Sequence, residues 1–293
     1  MLVNPTAGKG RGARVGLQTI ARLRRRGAAV RVLAGRSGAD AADLAVAAAR
    51  AGPDALVVVG GDGMVHLTAQ ALAGSSVPLG LVPAGGGNDV ARMLGIPRKD
   101  TDAAADLVLD ALEHGRVRAI DLARVTAGSQ DRRVATVVAT GCDTKVNERA
   151  NSRRWPRGQA RYTLSMLAEF PGFGPLPYVL HLDGQRTELE AMMVAIGNGP
   201  SYGGGLRMCV GAEPDDGLLD VVIMGPMSKP DIARTYPRLF RGTHTNHRVY
   251  QCHRVRTVRV ESPGIVAYGD GERLGPLPID VTVEPGALRT LAP

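Results

Sequence analysis

Cysteine is scarce in this chain of 293 residues, which contains only Cys142, Cys209 and Cys252, with no CxxC spacing. This scarcity excludes a disulfide framework and a cysteine zinc site, so we expect buried thiols. Aromatic residues make up 3% of the chain, which argues against base stacking, and we predict no nucleic-acid partner. No apolar run approaches the roughly 18 residues that span a bilayer, and no signal-peptide pattern opens the chain, so we expect a cytoplasmic protein.

Positive charge is in excess, with a formal net charge of +8 at pH 7. Such an excess favours an acidic partner, and with few aromatic residues the candidates are an anionic lipid surface or a phosphorylated ligand. The alternative is that the arginines only keep the surface soluble. The length of 293 residues predicts one large or two modest domains, and the hydrophobic content of 44% is typical of a globular protein.

The central stretch is Asp54-Ala-Leu-Val-Val-Val-Gly-Gly-Asp-Gly-Met-Val-His66. Its run Ala55–Val59 predicts a buried parallel strand, and Met64–Ala73 predicts a helix after a glycine loop. Backbone amides at a helix N-terminus favour a phosphate, whereas the carboxylate of Asp62 repels one unless a divalent cation lies between them. We therefore predict a nucleotide site that works through Mg²⁺. The alternative is a plain strand-to-helix turn that Asp62 caps.

Two more glycine loops follow short predicted strands. The loop Asn4–Gly12 precedes a predicted helix from about Ala13 to Arg26, but it lacks the GxxxxGK[ST] spacing of a Walker-A ATPase. Lys9 and Arg11 are placed in it to neutralise phosphate, although isolated basic residues in a loop can equally be solvated. The loop Pro83–Asp89 follows the apolar strand Pro78–Val82. Loops that follow neighbouring parallel strands lie side by side at the carboxyl edge of the sheet, where open α/β sheets bind ligands.

Alternating strands and helices continue to about residue 121, after which strands dominate and predict a β-sandwich. The remaining elements of the first half are predicted at Ala28–Ala34, Ala39–Ala51, Thr101–His114 and Arg116–Val125. The strands of the second half are predicted at Arg132–Thr140, Tyr178–Asp183, Glu188–Ile196, Leu218–Met224, Val249–Glu261, Ile265–Tyr268 and Ile279–Val283, with helices at Gln159–Phe170 and Lys229–Phe240.

Acidic residues outside the glycine loops suggest further sites. Asp121 is a lone acid in an apolar strand, so it needs a cation or a cap as partner. The turn Glu213–Asp220 offers closely spaced oxygen ligands that suit Mg²⁺ or Ca²⁺, although a solvated acidic turn has the same composition. Asp270-Gly271 is a strong hairpin signal, and Glu272 follows it.

Several of these stretches resemble the diacylglycerol kinase catalytic domain family of bacterial lipid kinases, which is related to sphingosine and ceramide kinases. They occur in the family's order and cover nearly the whole chain: Val3–Gly8, Gly60–Gly63, Pro78–Gly85, Asn88-Asp89, Ile120-Asp121, Asp215–Asp220 and Gly269–Glu272. The resemblance implies a Rossmann-like α/β domain of the NAD kinase/diacylglycerol kinase type at residues 1–121 and a β-sandwich lipid-substrate domain at residues 122–284. The active site would lie in the interdomain cleft, and residues 285–293 would pack back on the first domain.

The resemblance also implies ATP and Mg²⁺ as cofactors and assigns roles to residues. Asp62, Asp89 and Asp121 would organise catalytic Mg²⁺, and Glu272 would be the general base. A structural Mg²⁺ would be held by Asp216 and the carbonyls of Glu213 and Leu218. The residues implied in nucleotide binding are Asn4, Pro5, Thr6, Ala7, Gly8, Lys9, Gly60, Gly61, Asp62, Gly63, Met64, Val65, His66, Gly86 and Asn88.

Two positions depart from the family pattern, because Met64 and Gly86 stand where threonine is usual. Without those hydroxyls we expect a weaker or differently seated nucleotide. The implied reaction is ATP-dependent phosphorylation of 1,2-diacylglycerol to phosphatidic acid. Three alternatives remain open: a kinase of another lipid alcohol such as a sphingoid base or prenyl alcohol, an NAD kinase-like enzyme, and a non-catalytic protein that binds anionic membranes or nucleic acid.

A basic stretch in the second half is predicted to hold the protein peripherally on an anionic membrane during turnover. A merely solvated surface is the alternative. Trp155, among neighbouring arginines, is a candidate interfacial anchor, although a lone tryptophan is more often core. A homodimer is compatible with the sequence, which carries no signal for oligomeric state. The basic stretch comprises Arg238, Arg241, His244, His247, Arg248, His253, Arg254, Arg256 and Arg259.

Overall fold

The structure is a computed structural model that describes residues 1–142, 144, 172 and 174–293. The helix predicted at Gln159–Phe170 and the anchor predicted at Trp155 lie outside the described residues. Within the described part of the chain, no helix combines the length and apolarity that crossing a bilayer requires.

The first domain alternates strands and helices around a parallel sheet of order β2-β1-β3-β4. Its central strands β3 and β4 are buried along their whole length, as expected when helices cover both faces. The elements are β1 (Leu2–Val3), α1 (Ala7–Arg25), β2 (Leu33–Ala34), α2 (Gly38–Arg50), β3 (Leu56–Gly60), α3 (Asp62–Leu72), β4 (Leu79–Pro83), α4 (Asp89–Met93) and α5 (Thr101–Glu113).

Side-chain caps and close packing set the helices of this domain. Ser37 accepts a hydrogen bond from the Asp40 amide at the start of α2, and Asp100 accepts one from the Ala103 amide at the start of α5. A Cβ atom on Gly80 would lie 3.0 Å from a methyl group of Val108, so glycine lets α5 approach β4 closely. The apolar face of α5 thereby packs on the sheet.

Two elements differ from the prediction. The strand predicted at Ala28–Ala34 is only two residues long, because it lies at the sheet edge and β1, its partner in the described part of the chain, is itself two residues long. Helix α1 starts at Ala7 instead of Ala13, but Gly8, Lys9 and Gly10 have φ angles of +57°, +63° and +91°. These left-handed residues interrupt the first turn, so the chain from Ala7 to Gly10 remains a loop in conformation.

The second domain is a sandwich of two sheets. One is antiparallel with the order β12-β11-β10-β7-β14-β15, and the other contains β16, β13, β8 and β9, with β5 and β6 paired beside β16. Its elements are β5 (Arg118–Ala127), β6 (Gln130–Val134), β7 (Val137–Gly141), β8 (Leu176–Leu182), β9 (Gln185–Ala191), β10 (Met193–Gly197), β11 (Leu219–Met224), α6 (Lys229–Arg241), β12 (Tyr250–Val255), β13 (Thr257–Glu261), β14 (Val266–Gly269), β15 (Glu272–Pro276) and β16 (Ile279–Thr290).

Three long predicted strands are each two strands in the structure: Arg132–Thr140, Glu188–Ile196 and Val249–Glu261. They divide into β6 and β7, β9 and β10, and β12 and β13, and in each pair the two strands belong to opposite sheets. The chain crosses the sandwich at each break, and in the first pair the buried run Val134–Val138 continues through the crossing. Between the sheets lies a core that includes Leu180, Ile196 and Val221. This arrangement confirms the prediction of an α/β domain followed by a β-sandwich.

Strand β16 joins the two domains. Its first residues pair with β13 and β5, and its last residue, Thr290, pairs in parallel with Leu79 of β4. The register shifts between Glu284 and Leu288, where Gly286 has a φ of +60°. Beyond this irregularity, Leu288 and Leu291 are buried in the core of the first domain. The two domains therefore share one continuous sheet.

Candidate active site

A cleft of about 1000 Å³ lies between the glycine loops of the first domain and the β14–β15 hairpin of the second. This volume is at the upper end of the range for small-molecule sites, ~300–1,000 Å³. Residues of both domains line the cleft, and segments of the chain more than 200 residues apart therefore meet here. Of the predicted site residues, the cleft is lined by Asn4, Pro5, Thr6, Ala7, Gly8, Gly61, Gly63, Met64, His66 and Glu272.

The first loop is built by Asn4. Its side-chain oxygen accepts hydrogen bonds from the amide of Thr6, at 3.0 Å, and from the Thr6 hydroxyl, at 2.8 Å. This Asx turn leads into the left-handed residues Gly8 and Lys9. A Cβ atom on Gly8 would lie 2.1 Å from the carbonyl oxygen of Ala84, so only glycine fits against the neighbouring loop. Lys9 is exposed and lies at the outer side of the loop.

The second and third glycine loops lie against each other, as the strand order requires. A Cβ atom on Gly85 would lie 2.5 Å from the Cα atom of Gly61, and the amide of Ala84 donates to the carbonyl of Gly60 at 2.8 Å. Asn88 holds this loop, since its side chain accepts from the amide of Gly85 and donates to the Gly85 carbonyl. Asn88 is thus a loop-forming residue, and both ends of its amide are occupied.

The two departures from the family pattern have different surroundings. Met64 is buried against Gly60, and Val65 beside it is also part of the core. Gly86 is exposed, and a Cβ atom there would meet nothing within 4 Å. A hydroxyl-bearing side chain would therefore fit at Gly86 without displacing a neighbour.

Asp62 and Asp89 come together at the start of α4. One oxygen of Asp62 accepts hydrogen bonds from the amides of Asp89, at 2.7 Å, and Val90, at 3.3 Å. A Cβ atom on Gly87 would be 2.7 Å from the other oxygen of Asp62 and 3.4 Å from Oδ2 of Asp89, so glycine here lets the two carboxylates share one space. Asp62 therefore caps α4 through one oxygen.

Asp89 is more completely bonded than Asp62. Oδ1 pairs with Arg92 and lies 3.4 Å from the Ser201 hydroxyl, while Oδ2 accepts from the amide of Gly204 at 2.6 Å. Arg92 also donates to the Gly204 carbonyl at 3.2 Å. The glycine-rich segment Gly203–Gly205 of the second domain thus closes onto Asp89.

The electrostatics of this pair favour a cation. Burial, and then the charge of Asp89, raise the pKa of Asp62 to about 6. Oδ2 of Asp62 has no hydrogen-bond partner among the residues described, which leaves it as a donor atom for a metal. Mg²⁺ is typically bound by one or two carboxylates together with phosphate oxygens and water, and this donor set fits that pattern.

Glu272 reaches the cleft through a tight hairpin. Asp270 and Gly271 have φ angles of +50° and +87°, the signs that a type I′ turn needs, as the Asp-Gly signal predicts. Glu272 follows at the start of β15, and its Oε1 lies 3.4 Å from the point where a side chain on Gly63 would begin. The carboxylate therefore faces the glycine loop at the start of α3.

Asp270 is a buried residue of the site that sequence reasoning did not single out as functional. Its carboxylate accepts from the amides of Ala135 and Thr136 and from the Thr136 hydroxyl, and it lies 3.3 Å from Nδ1 of His66. These hydrogen bonds from the link between β6 and β7 hold the turn in place. The sequence did offer a signal, because the Asp-Gly turn places a second carboxylate next to the candidate base Glu272.

Three residues that contact Asp89 were not singled out from the sequence: Arg92, Ser201 and Gly204. No pattern in the sequence marks Arg92 or Ser201 as a partner of Asp89. The run Gly203–Gly205 is a signal for close backbone approach, but it does not name the side chain that is approached.

Asp121, like Asp62 and Asp89, is not among the residues that line the cleft. This side chain is 2% exposed, and its two oxygens accept from the amides of Gly217 and Gly286, each at 2.7 Å. The backbone amide of Asp121 donates to the carbonyl of Pro214 at 2.6 Å. Asp121 therefore binds the 213–218 turn and strand β16, and backbone donors satisfy its charge.

The turn predicted to hold a structural metal is arranged around Asp216. Its carboxylate accepts from the amide of Leu218 at 2.9 Å and pairs with Arg254, while Glu213 is exposed. The guanidinium group already compensates the negative charge of Asp216, so a Mg²⁺ ion here would have to share or replace it. Across the described ranges, no three or more acidic, histidine or cysteine side chains form a metal cluster.

The chain matches two protein families along its length. Residues 1–125 match the family described as the diacylglycerol kinase catalytic domain, and residues 136–292 match the one described as the YegS C-terminal NAD kinase beta sandwich-like domain. These matches confirm the resemblance inferred from the motifs and the predicted type of fold.

Named relatives agree with this result. A protein of Mycobacterium tuberculosis named diacylglycerol kinase is 42% identical over 100% of this chain and 94% of its own length. A protein of Pseudomonas fluorescens named "Probable lipid kinase YegS-like" is 34% identical over 87% of this chain and 82% of its own. A crystal structure of a diacylglycerol kinase from Bacillus anthracis superposes with a TM-score of 0.73 at 20% identity, covering 100% of this chain and 95% of that one.

Proposed function

Since this chain belongs to the diacylglycerol kinase family of lipid kinases, we propose that it phosphorylates the free hydroxyl of 1,2-diacylglycerol with ATP to give phosphatidic acid. One observation carries the proposal: the carboxylate of Glu272 faces the glycine loop at Gly63 in a cleft that the Asn4–Gly8 loop also lines. A proton acceptor and two anion-binding loops are thus within one site. The substrate in the name of the 42%-identical relative supports diacylglycerol as the acceptor.

In this mechanism the glycine loops position the triphosphate and Glu272 activates the acceptor. The acceptor hydroxyl passes its proton to Glu272 as its oxygen bonds to the γ-phosphorus, and the bond from that phosphorus to the β–γ bridging oxygen breaks. ADP leaves with the bridging oxygen. Phosphoryl transfer depends mainly on position and charge neutralisation, which agrees with a site built from backbone amides and carboxylates.

Mg²⁺, where bound, would neutralise charge between the phosphates and Asp62. Asp62 offers Oδ2 to it, while Asp89 is held by Arg92 and the amide of Gly204 and contributes negative charge beside it. In this arrangement Asp62 would supply the oxygen ligand, and Asp89 would add negative charge that attracts the cation. The raised pKa of Asp62 is the electrostatic reason that a cation would be bound.

The test is transfer of radiolabelled phosphate from ATP to a panel of lipids by the purified full chain. We expect diacylglycerol to be the best acceptor and Glu272→Gln to lower kcat by about 10²–10⁴-fold, the range for loss of a general base. ATP binding should be retained. Glu190→Gln, on the exposed strand β9, is the matched control and should leave kcat unchanged.

Other outcomes of the panel contradict the proposal in distinct ways. Preference for a sphingoid base or a prenyl alcohol would keep the kinase and change its acceptor. Preference for NAD would favour the NAD kinase-like alternative. No transfer to any acceptor, with Glu272→Gln indistinguishable from the unmodified protein in all assays, would support a non-catalytic binding protein.

We also propose that the protein binds an anionic membrane surface peripherally, as access to a lipid acceptor requires. Some residues of the predicted basic stretch offer little charge to a membrane, because His244 is fully buried and Arg254 pairs with Asp216. Arg259 pairs with Glu261 and Asp280. Helix α6 supports membrane binding better, since it carries four basic residues to one acidic residue and buries only Thr235.

Helix α6 also presents apolar surface beside its arginines. Phe240 is 38% exposed and packs edge to face on Tyr236, one turn earlier. Cosedimentation with vesicles of phosphatidylcholine, with and without phosphatidylglycerol, tests this proposal. We expect binding only with the anionic lipid and weaker binding after Phe240→Ser, whereas Leu17→Ser on α1, where Leu17 is 69% exposed, should have no effect.

A further inference from the structure

Helix α3 carries a polar stripe that faces the second domain. Asp62, His66 and Gln70 are spaced four residues apart and therefore lie on one face of the helix. Asp62 caps α4, as described above, whereas His66 and Gln70 contact the β-sandwich domain. The helix that begins at the glycine loop is therefore tied directly to the domain that supplies Glu272.

The contact of His66 is with the turn that carries Glu272. The side chain of His66 is 5% exposed and that of Asp270 is 1% exposed, and Nδ1 lies 3.3 Å from Oδ2 of Asp270. Asp270 has a φ of +50°, which an aspartate tolerates at this position of a type I′ turn. Three other hydrogen bonds reach Asp270 from Ala135 and Thr136, and all of these come from the second domain. Of the partners described for Asp270, only His66 belongs to the first domain.

Gln70 makes the adjacent contact between the domains. Its amide nitrogen donates to the carbonyl of Arg133 at 2.7 Å, and its amide oxygen accepts from the Arg133 amide at 2.8 Å. Both backbone groups of one residue in β6 are thus bound to one side chain of α3. Since β6 leads directly to Ala135 and Thr136, the two contacts of α3 fix the base of the hairpin and its turn together.

We propose that His66 is a positioning residue that holds the Asp270–Gly271 turn, and with it Glu272, at the reaction distance from the glycine loop. In this arrangement Nδ1–H of His66 donates a hydrogen bond to Oδ2 of Asp270. This role differs from the nucleotide contact that the family resemblance implies for His66. The proposal rests on the proposed function, because it takes Glu272 to be the base.

The position of Glu272 explains why loss of the His66 contact should lower kcat strongly. Glu272 comes two residues after Asp270, and its Oε1 is already close to Gly63. Displacement of a reacting group by about 1 Å can lower a rate by about 10²-fold. Release of the turn from α3 would move the carboxylate by a change of this order while the phosphate loops, which are formed by other residues, stay in place.

Three substitutions at His66 separate positioning from nucleotide contact. The amide nitrogen of asparagine can take the place of Nδ1, whereas that of glutamine lies nearer to the place of Nε2. We expect His66→Asn to retain kcat within about fivefold and His66→Gln and His66→Leu to lower it by about 10²-fold, with the KM for ATP changed less than threefold. His114→Leu, at the exposed end of α5, is the control and should behave like the unmodified protein.

The opposite pattern would overturn the proposal. If His66→Gln is active and His66→Asn is not, or if the KM for ATP rises while kcat is kept, His66 contacts the nucleotide. A second substitution tests the route through Glu272: adding His66→Leu to Glu272→Gln should lower kcat no further than Glu272→Gln alone. Additive losses would show that His66 acts elsewhere.

Amide hydrogen exchange needs no substrate, so it tests the positioning role of His66 independently of lipid kinase activity. Amide hydrogen exchange of residues 269–273 should accelerate at least tenfold in His66→Leu and stay near normal in His66→Asn. Unchanged exchange in His66→Leu would refute the positioning role even if the protein is a kinase. Faster exchange with no lipid kinase activity in the unmodified protein would instead refute only the proposed function.

Discussion

Replacing Asp121 with asparagine tests whether this residue serves the fold or the metal. Its two carboxylate oxygens accept from two backbone amides that belong to different segments, those of Gly217 and Gly286. Asparagine keeps one acceptor oxygen and places an amide nitrogen opposite the other donor. One amide would then lose its partner, in a site where the side chain is 2% exposed.

The expected loss follows from these two bonds. A hydrogen bond to a charged group contributes about 1.5–3 kcal/mol, and the bond that remains is weakened because its acceptor becomes neutral. We expect the free energy of unfolding to fall by about 2–4 kcal/mol, near the upper end for a single substitution. At a urea m-value of about 3 kcal/mol/M, the midpoint of unfolding would fall by about 1 M.

Urea unfolding followed by circular dichroism measures this change. Asp131→Asn is the matched control, since Asp131 pairs with Arg124 at the surface and should cost about 0–1 kcal/mol. In Asp121→Asn, the kcat of the folded fraction should stay within a few-fold of normal. If the unfolding midpoint is unchanged and kcat falls by orders of magnitude, Asp121 acts on the catalytic metal and the reasoning from its hydrogen bonds is wrong.

Four other predictions follow from the site. Gly86→Thr should lower the KM for ATP with little change in Tm, whereas Gly87→Thr, whose Cβ would lie 2.7 Å from Asp62, should raise the KM; equal effects would contradict this. Gly8→Ala should weaken ATP binding measured by titration calorimetry, because its Cβ would lie 2.1 Å from a carbonyl oxygen. The pKa of Asp62 is raised from 3.8 to about 6. Without metal, its contribution to the free energy of unfolding is therefore fully present below pH 3.8 and is lost as the pH rises through about 6. The urea midpoint of Asp62→Asn should not fall over this pH range. Because Arg254 already pairs with Asp216, EDTA should change the Tm of the unmodified protein and that of Asp216→Ala equally; a fall in Tm that Asp216→Ala abolishes would instead show a metal at this turn.

Local patterns in the sequence predicted those parts of the site that depend on backbone conformation. The strand before Gly60 and the helix after it follow from an apolar run and from helical spacing, each readable within a dozen residues. The Asp270-Gly271 hairpin follows from the conformational freedom of the two residues that form it. The family motifs added the expectation that Glu272 shares a cleft with the glycine loops, and the structure places it there.

Sheet crossings were not predictable in the same way. The stretch Arg132–Thr140 stays buried from Val134 onward while the chain passes between the sheets, and Val249–Glu261 carries valines on both sides of its break. A sequence pattern indicates which residues are buried, but it does not indicate which of the two sheets a strand joins. The choice of sheet depends on which strand is available as a neighbour, and that neighbour comes from a distant part of the chain.

The sequence by itself determined where the chain turns, which stretches are buried and which residue types could carry phosphoryl transfer, because these properties depend on a residue and its near neighbours. Only the tertiary structure decided that Asp121 binds two amides outside the cleft and that His66 meets Asp270, a residue 204 positions away. The physical reason is that a buried polar group takes whichever partner packing brings within hydrogen-bonding distance. That distance is set by the packing of two whole domains and by the strand that they share.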